Sequence, residues 1–533
     1  MATNAPTEMK KTLSLTGLTI NAMALIAPGA FLWTTFQLQG AQTAGGNTTA
    51  MDMLPGLLFV LVLAFLTAYA YSELANAYPQ AGAGSSYFFA EAAFLEKEKK
   101  AHYQFARLSK FAVGWISHLY YWIYPGIMVA FTGVLTVFIL SLFNITLNTW
   151  QSIIPVVIFA GVTGYIAFRG ISGSTMTAII INVIQLTALL AFSVLAIIFR
   201  VTHPDLAYAH PNPFSVVLPH NLTNVFMQGT IAILLLVGFE SVTALGAEAK
   251  NPKRDVRRAI LLSLAIQGAV AYVIEYFAAN YMVNDGLTST VAGATATGYS
   301  SLAASAAPVG DMITQIGNTM LGGTGLILTT ILAATVLIAL IGTTLACLNT
   351  GVRITYVMGR DKEMPSILGM LHGRFATPHF GVLILALVSA VIGAYGVVSI
   401  DNLTQITLAS NTGTFLVYGM TNLICIIAFA SRHDRHVIKH YVVPGLGLVA
   451  NLVMLFAIMY FNITSGGSTA TDTIIALGIV GAWIVAGVVW MVVNSAVRKQ
   501  PILHSEHPGK PVSEEEPESA PAVSAAEGGA FPA

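Results

Sequence analysis

Charge is what this sequence has least of: 9% of its 533 residues are Asp, Glu, Lys or Arg, where a soluble domain carries about a quarter. That excludes an ordinary water-soluble domain. Cysteine is nearly absent as well, with only Cys347 and Cys425, and both fall inside apolar runs, which leaves neither a disulfide scaffold nor a CxxC metal site. No Gly-rich phosphate-cradling loop and no nucleic-acid module is present, which argues against an ATP-driven pump and against a nucleic-acid partner. A membrane-embedded hydrolase would need a nucleophile with its base, or an HExxH-like site, and neither occurs. The chain does not read as an enzyme.

What is there is apolar. Hydrophobic residues make up 55% of the chain and the mean hydropathy is +0.73. Runs of about 20 residues, long enough to cross a ~30 Å hydrocarbon layer, recur along the whole sequence. Roughly twelve can be placed, near 13–39, 53–77, 111–142, 150–169, 174–199, 226–249, 257–283, 324–358, 379–398, 403–430, 441–462 and 473–497. The expected fold class is an all-α integral membrane protein of about twelve transmembrane helices. The first run is too long, and too polar in its middle, for a cleaved signal segment. Residues 1–12 form a short polar head, and residues 498–533, rich in Pro, Ser, Ala and Glu, read as a disordered tail.

Basic residues resist translocation and stay in the cytoplasm. With the head inside and twelve spans, 23 of the 24 Lys and Arg fall on that side and only Arg200 falls outside. Both termini are therefore expected in the cytoplasm, with the protein a multi-pass component of the plasma or inner membrane.

Two spans are poorly suited to being continuous helices. In the first, "ALIAPGAFLW" puts Pro28 and Gly29 near the middle, and Pro cannot donate to the helix ladder. In the sixth, Gly238 sits at the corresponding depth, and Glu240 follows it eight residues before Glu248, about 12 Å at helical rise. Unwound backbone at that depth is tolerated only where it lines a polar cavity or is buried in protein. Breaks five spans apart suggest an inverted repeat with a binding site between its halves. Ionisable groups at such depth usually face a cavity or a partner, which makes Glu240 a functional candidate.

These stretches carry a resemblance. "FLTAYAYSELANAYPQAGAGSSYFFAEAAF", with Glu73, Pro79 and Gly82, resembles the second span and cytoplasmic turn of the amino acid/polyamine/organocation transporters. "GFESVTALGAEAKNPKRDVRRAI" is similar to that family's interrupted sixth span and following loop, and "RITYVMGRDKEMPSILGMLHGRFATPHFGV" to the exit from its eighth. The resemblance implies a five-plus-five inverted repeat over residues 13–430 and two accessory spans over 431–497. It implies a secondary transporter of amino acids, as permease or exchanger, working by alternating access. Two alternatives stand beside that: a carrier of polyamines or cationic amines with the same fold, and a nutrient receptor that binds without transport.

The family holds a substrate α-carboxylate on free N–H groups at the first break and its ammonium on carbonyls at both. Carried over by position, the site would comprise Ala27, Gly29, Ala30 and Phe31, with Val237, Gly238, Phe239 and Glu240. Pro28 has no N–H, and "APGAF" replaces the usual glycine-x-glycine. Leu234 stands where some members place a large aromatic. In the third span, "SHLYYWIYPG" offers Tyr120 and Tyr124 as substrate contacts, with His118 read as a hydrogen-bonded interior histidine.

No cofactor is called for beyond a coupling ion, H⁺ or Na⁺. The fifth span has no lysine, so a lysine relay is excluded there. Thr343 and Thr344 could help to coordinate Na⁺, or bond back to their own helix. Glu240 could take a proton or could receive a substrate ammonium. The first is favoured, because no other acidic residue is placed to form a second amine clamp. His433, His436 and His440 are expected to belong to a basic cytoplasmic loop, not to a metal site. "KNP" should start the seventh span, with Asn251 as cap and Pro252 in the first turn. Glu275 is expected to be tied to backbone or to polar partners. Lipid is the expected surroundings, and the sequence leaves the oligomeric state open.

Overall fold

The computed structural model describes residues 13–26, 28–79, 86–95, 104–170, 175–291, 294–373, 375, 377–430 and 432–498. In these, the chain runs through helices α1 (Leu15–Ile26), α2 (Pro28–Ala41), α3 (Met53–Ala77), α4 (Ser86–Leu95), α5 (Gln104–Leu142), α6 (Thr149–Phe168) and α7 (Thr175–Thr202). It continues with α8 (Leu222–Ala232), α9 (Ser241–Ala244), α10 (Pro252–Phe277), α11 (Tyr299–Ala304), α12 (Pro308–Thr319) and α13 (Gly325–Arg360). The last four are α14 (His379–Gly396), α15 (Ile400–Phe429), α16 (Val443–Phe456) and α17 (Gly467–Arg498). Two short antiparallel hairpins, Thr43–Ala44 with Asn47–Thr48 and Thr288–Val291 with Ala294–Thr297, are the only paired strands among the described residues.

Ten helical segments among the described residues are long and apolar enough to cross a bilayer. Of the two expected spans missing from those ten, the sixth is built from shorter pieces, α8 and α9, whereas the first is described as α1 and α2 on either side of residue 27, which lies outside the described residues. The all-α membrane architecture is as the sequence led one to expect.

Helix ends follow local chemistry. Asn148 and Gln151 form a reciprocal capping box at the start of α6, each bond 2.9 Å, and Ser399 caps α15 through Asn402 N at 3.1 Å. Asn251 does precede Pro252 at the start of α10, but its side chain makes no capping bond. Its carbonyl accepts from Asp255 N at 2.8 Å instead, so the position starts the helix through backbone alone.

Helices α3, α5 and α15 form the interior, while α6, α14, α16 and α17 present bare apolar side chains outward, among them Val157, Leu387, Leu452 and Val488. In water so large an apolar surface would drive association, whereas in a bilayer it is solvated by lipid tails.

One end of the bundle gathers the basic residues into ion pairs: Lys110 with Glu91 at 2.8 Å and Asp361 at 2.7 Å, Arg257 with Glu73 at 2.7 Å, and Arg353 with Glu248 at 2.7 Å. There too Leu13 pairs in parallel with Ala249, through Leu13 N to Glu248 O at 2.9 Å and Lys250 N to Leu13 O at 2.8 Å. His440, expected in a basic loop, is buried at this end. It stacks on Phe429 with ring centres 3.6 Å apart and lies 3.3 Å from Glu73. The hairpins, α11, α12 and the loop from His203 to Asn221 lie at the opposite end, where Asp52 accepts from His220 N at 2.6 Å and Asn221 N at 3.2 Å.

At the basic end, the Tyr87 hydroxyl lies 2.9 Å from both Asp361 Oδ2 and Glu363 Oε2. A phenol has one hydrogen to give, so it donates to Asp361 while a protonated Glu363 donates to it. Burial pushes the Glu363 carboxyl up to about 7 from an ordinary 4.5, against the pull of Lys110 and of Tyr87. Between those values the folded chain binds the extra proton, so the stability tied to this group is present at lower pH and is lost as pH rises through the window. Glu363→Gln should therefore gain melting temperature over the wild type at about pH 8 and gain little at about pH 5. A difference independent of pH would show that Glu363 does not titrate there.

Candidate functional site

The sixth span unwinds where its sequence stops favouring a helix. After α8 the chain makes a tight turn at Ile233–Leu235, and residues 236–240 are turns before α9 begins at Ser241. Gly238 has φ +128°, a backbone conformation that side chains with a Cβ rarely adopt. Backbone groups released by the break find partners nearby: Leu234 O accepts from Tyr124 Oη at 3.3 Å, Thr230 O from Asn411 Nδ2 at 2.8 Å, and Gly238 O from Ser241 Oγ at 2.6 Å.

Glu240 completes this arrangement. Its Oε2 accepts from Gly238 N at 3.1 Å and from Tyr418 Oη at 2.9 Å, and its Oε1 accepts from Tyr120 Oη at 2.7 Å and from the more distant Tyr121 Oη at 3.4 Å. The carboxylate is 1% exposed and sits in a cage of donors. Four donors on two oxygens are what allow a carboxylate to sit in such a place without a counter-cation. Tyr71, Ser86, Ser117, Tyr121 and Tyr418 line a small cavity with Glu240 and Tyr120. Tyr71 Oη lies 2.6 Å from Ser86 Oγ, and its ring meets Phe239 and Tyr418 edge-on at 6.0 and 6.1 Å.

The expected site residues are thus partly brought together. Tyr120, Tyr124, Leu234, Val237, Gly238, Phe239 and Glu240 are all buried in or beside the break. Gly29, Ala30 and Phe31 belong to α2. Ala27 lies outside the described residues. Helix α2 packs against the Ile233–Leu235 turn and α1 against α9, so the halves of the two spans are neighbours.

The coupling candidates Thr343 and Thr344 are buried mid-helix in α13. Thr343 Oγ1 donates to Ala339 O at 3.1 Å, the back-bonding alternative, and Thr344 Oγ1 has no partner among the described residues. His118 is an interior histidine, between Gly114 O at 2.6 Å and Thr355 Oγ1 at 3.1 Å.

Sequence reasoning did not pick out Tyr71, Ser86, Ser117 or Tyr418. Tyr71 stands two residues before Glu73 in the stretch that carries the family resemblance, which was a usable signal. Tyr418 carries none.

The sequence profile of the amino acid permease family matches residues 11–486, nearly the whole described chain. The chain belongs to the amino acid permease family. This permease is similar to the branched-chain amino acid permease BcaP of Lactococcus lactis subsp. cremoris, at 34% identity over 237 residues, 43% of this chain and 44% of that relative. Over longer stretches it is 23% identical to BcaP of Bacillus subtilis, covering 86% of this chain and 89% of that one. It is also 23% identical to the low-affinity putrescine importer PlaP of Escherichia coli, covering 80% and 83%. The permease is a multi-pass membrane transporter and not an enzyme.

Proposed function

We propose that this permease carries neutral, apolar amino acids across the cell membrane as a secondary transporter working by alternating access, with both termini in the cytoplasm. The observation that carries the reading is the cage around Glu240. A carboxylate already saturated by Tyr120, Tyr121, Tyr418 and Gly238 N has no lone pair left to clamp a second, side-chain ammonium. The remaining requirement is for a zwitterion held by backbone. At the break expected in the first span, the N–H groups of Gly29, Ala30 and Phe31 would take its carboxylate, since helix N-termini attract anions. Carbonyls at the two breaks would take its ammonium, and Leu234 and Phe239 offer apolar surface for its side chain. The branched-chain permeases among the relatives support that substrate class, and the putrescine importer is the reason to test the other.

The experiment is counterflow in proteoliposomes. Vesicles loaded with unlabelled L-leucine should concentrate labelled L-leucine from outside, and putrescine in about tenfold excess should not compete. Putrescine counterflow without leucine counterflow would overturn the substrate class. Saturable leucine binding with no counterflow would make the protein a receptor.

A further inference from the structure

Outside the cage a second carboxyl is buried with far less support. Glu275, in α10, is fully buried; its Oε1 accepts from Gln39 Nε2 at 3.2 Å, and its Oε2 has no partner among the described residues. No cation pairs with it there. A charge held by one neutral amide at that depth is costly, so in this arrangement Glu275 keeps its proton. The Gln39 Oε1 atom has no partner among the described residues either, and Gln39 belongs to α2.

Helix α2 is seated hard on α11. A Cβ at Gly40 would come within 2.7 Å of Leu302 Cβ and 2.9 Å of Ala303 N. Helix α11 begins at Tyr299, whose hydroxyl lies 2.5 Å from His210 Nε2. Burial above all, and then Glu275 and Asp52, push the Tyr299 phenol up, so it remains a neutral O–H. His210 is also bound at Nδ1 by Ser215 Oγ at 3.3 Å. Burial first, then His220 and Arg200, push it down to about 4, so it is a neutral imidazole with one nitrogen to accept and one to donate. His220, its ring 5.9 Å from that of His210, is partly exposed and bonded to Asp52. Arg200 is engaged by Asn280 and the His210 carbonyl. Helices α1 and α9 carry no titratable side chain, and Glu73 on α3 is paired with Arg257 at the basic end.

We propose that Glu275 is a proton-binding site of the transport cycle, filled from the loop end of the bundle by way of His210 and Tyr299 and read by Gln39 on α2. A proton arriving on His210 Nδ1 releases the Nε2 proton to the Tyr299 oxygen as the Tyr299 hydroxyl gives its own to the Glu275 carboxylate. One H⁺ is bound and Tyr299 is again an O–H, while His210 is left as the Nδ1–H tautomer and must regain its Nε2 proton, by exchange at both nitrogens, before it relays another. No hydrogen bond joins Tyr299 to Glu275 in this arrangement, so the last transfer belongs to a moment when α2 and α11 have shifted. Substrate-driven movement of α2 would then set when Glu275 can gain or lose its proton.

The inference goes beyond the substrate reading above and is tested beside it. Counterflow of L-leucine needs no proton gradient and checks that reading alone; if putrescine is what exchanges, the same comparison uses putrescine. In proteoliposomes with an alkaline interior, wild type should accumulate substrate above equilibrium and take up H⁺ with it, reported by a trapped pH dye. Glu275→Gln should lose at least about tenfold of that accumulation and keep counterflow within about twofold. Wild-type accumulation indifferent to the gradient, or full accumulation by Glu275→Gln, would overturn the proposal. Should Glu275→Gln fail to insert, Tyr299→Phe decides. It should slow proton-driven accumulation several-fold with counterflow kept, and an unchanged rate would refute the site as described.

Discussion

Glu240→Ala should abolish L-leucine counterflow and lower the melting temperature, whereas Glu240→Gln should retain much of both. Alanine leaves Gly238 N–H and the hydroxyls of Tyr120, Tyr121 and Tyr418 without their acceptor. The hydroxyls can turn toward one another, the Tyr120 and Tyr121 rings being only 4.3 Å apart, but a backbone N–H cannot turn. A stranded, buried N–H costs about 1–3 kcal/mol. The larger effect falls on transport, because the carboxylate ties α5 and α15 to the break in the sixth span. Glutamine can present its oxygen to Gly238 N–H and Tyr418, and its amide hydrogens to the Tyr120 and Tyr121 oxygens, which can accept. Thermal melts and leucine counterflow on the two variants check this, and wild-type behaviour by Glu240→Ala would mean that the cage is dispensable.

Gly238→Ala tests the backbone of the same site. At φ +128° a Cβ is strained whatever space surrounds it, and holding a non-glycine residue in such a region costs on the order of 1–3 kcal/mol. Relief comes only by rotating the peptide whose N–H binds Glu240, so the substitution should spoil the cage even where the protein still folds. Leucine counterflow is expected to fall at least about tenfold, with a modest loss of thermal stability. Gly161→Ala is the control. There an added Cβ meets nothing within 4 Å, in the middle of α6, and alanine should stabilise the helix by about 1 kcal/mol without affecting transport. Equal counterflow by the two variants would show that the Gly238 conformation is not required.

The break in the sixth span could be read from the chain because it rests on local chemistry: Gly238 adopts a backbone conformation that residues with a Cβ rarely take. The gathering of basic residues at one end was equally legible, since it reflects a rule about charge and not about packing. Partners far apart in sequence were not. Glu240 and Tyr418 are 178 residues apart, Gln39 and Glu275 236 apart, and Glu73 and His440 367 apart. Nor could burial be read, because a span is apolar on its lipid face and on its core face alike. The alternation that betrays the core of a soluble helix is missing. Tyr418, in the middle of "TGTFLVYGMTN", therefore looks no different from a tyrosine facing lipid. His440 was placed with its neighbours His433 and His436 in a basic loop, and it is a buried ring at a helix start because Phe429 and Glu73 receive it.

The pairing of Leu13 with Ala249 joins two pieces of chain that the bundle could otherwise move separately. Helix α1 begins two residues after Leu13, and Ala249 follows closely on α9, so two backbone hydrogen bonds yoke α1 to the chain just beyond α9. Tilting either piece drags the other, so α1 and α9 should swing as a single lever against the rest of the bundle. Helices α2 and α8 are joined as well, through Gln228 Nε2 to Gln39 O at 2.9 Å and, from the residue just past α2, Gln42 Nε2 to Thr230 Oγ1 at 3.2 Å. The two spans are therefore geared to each other at both ends.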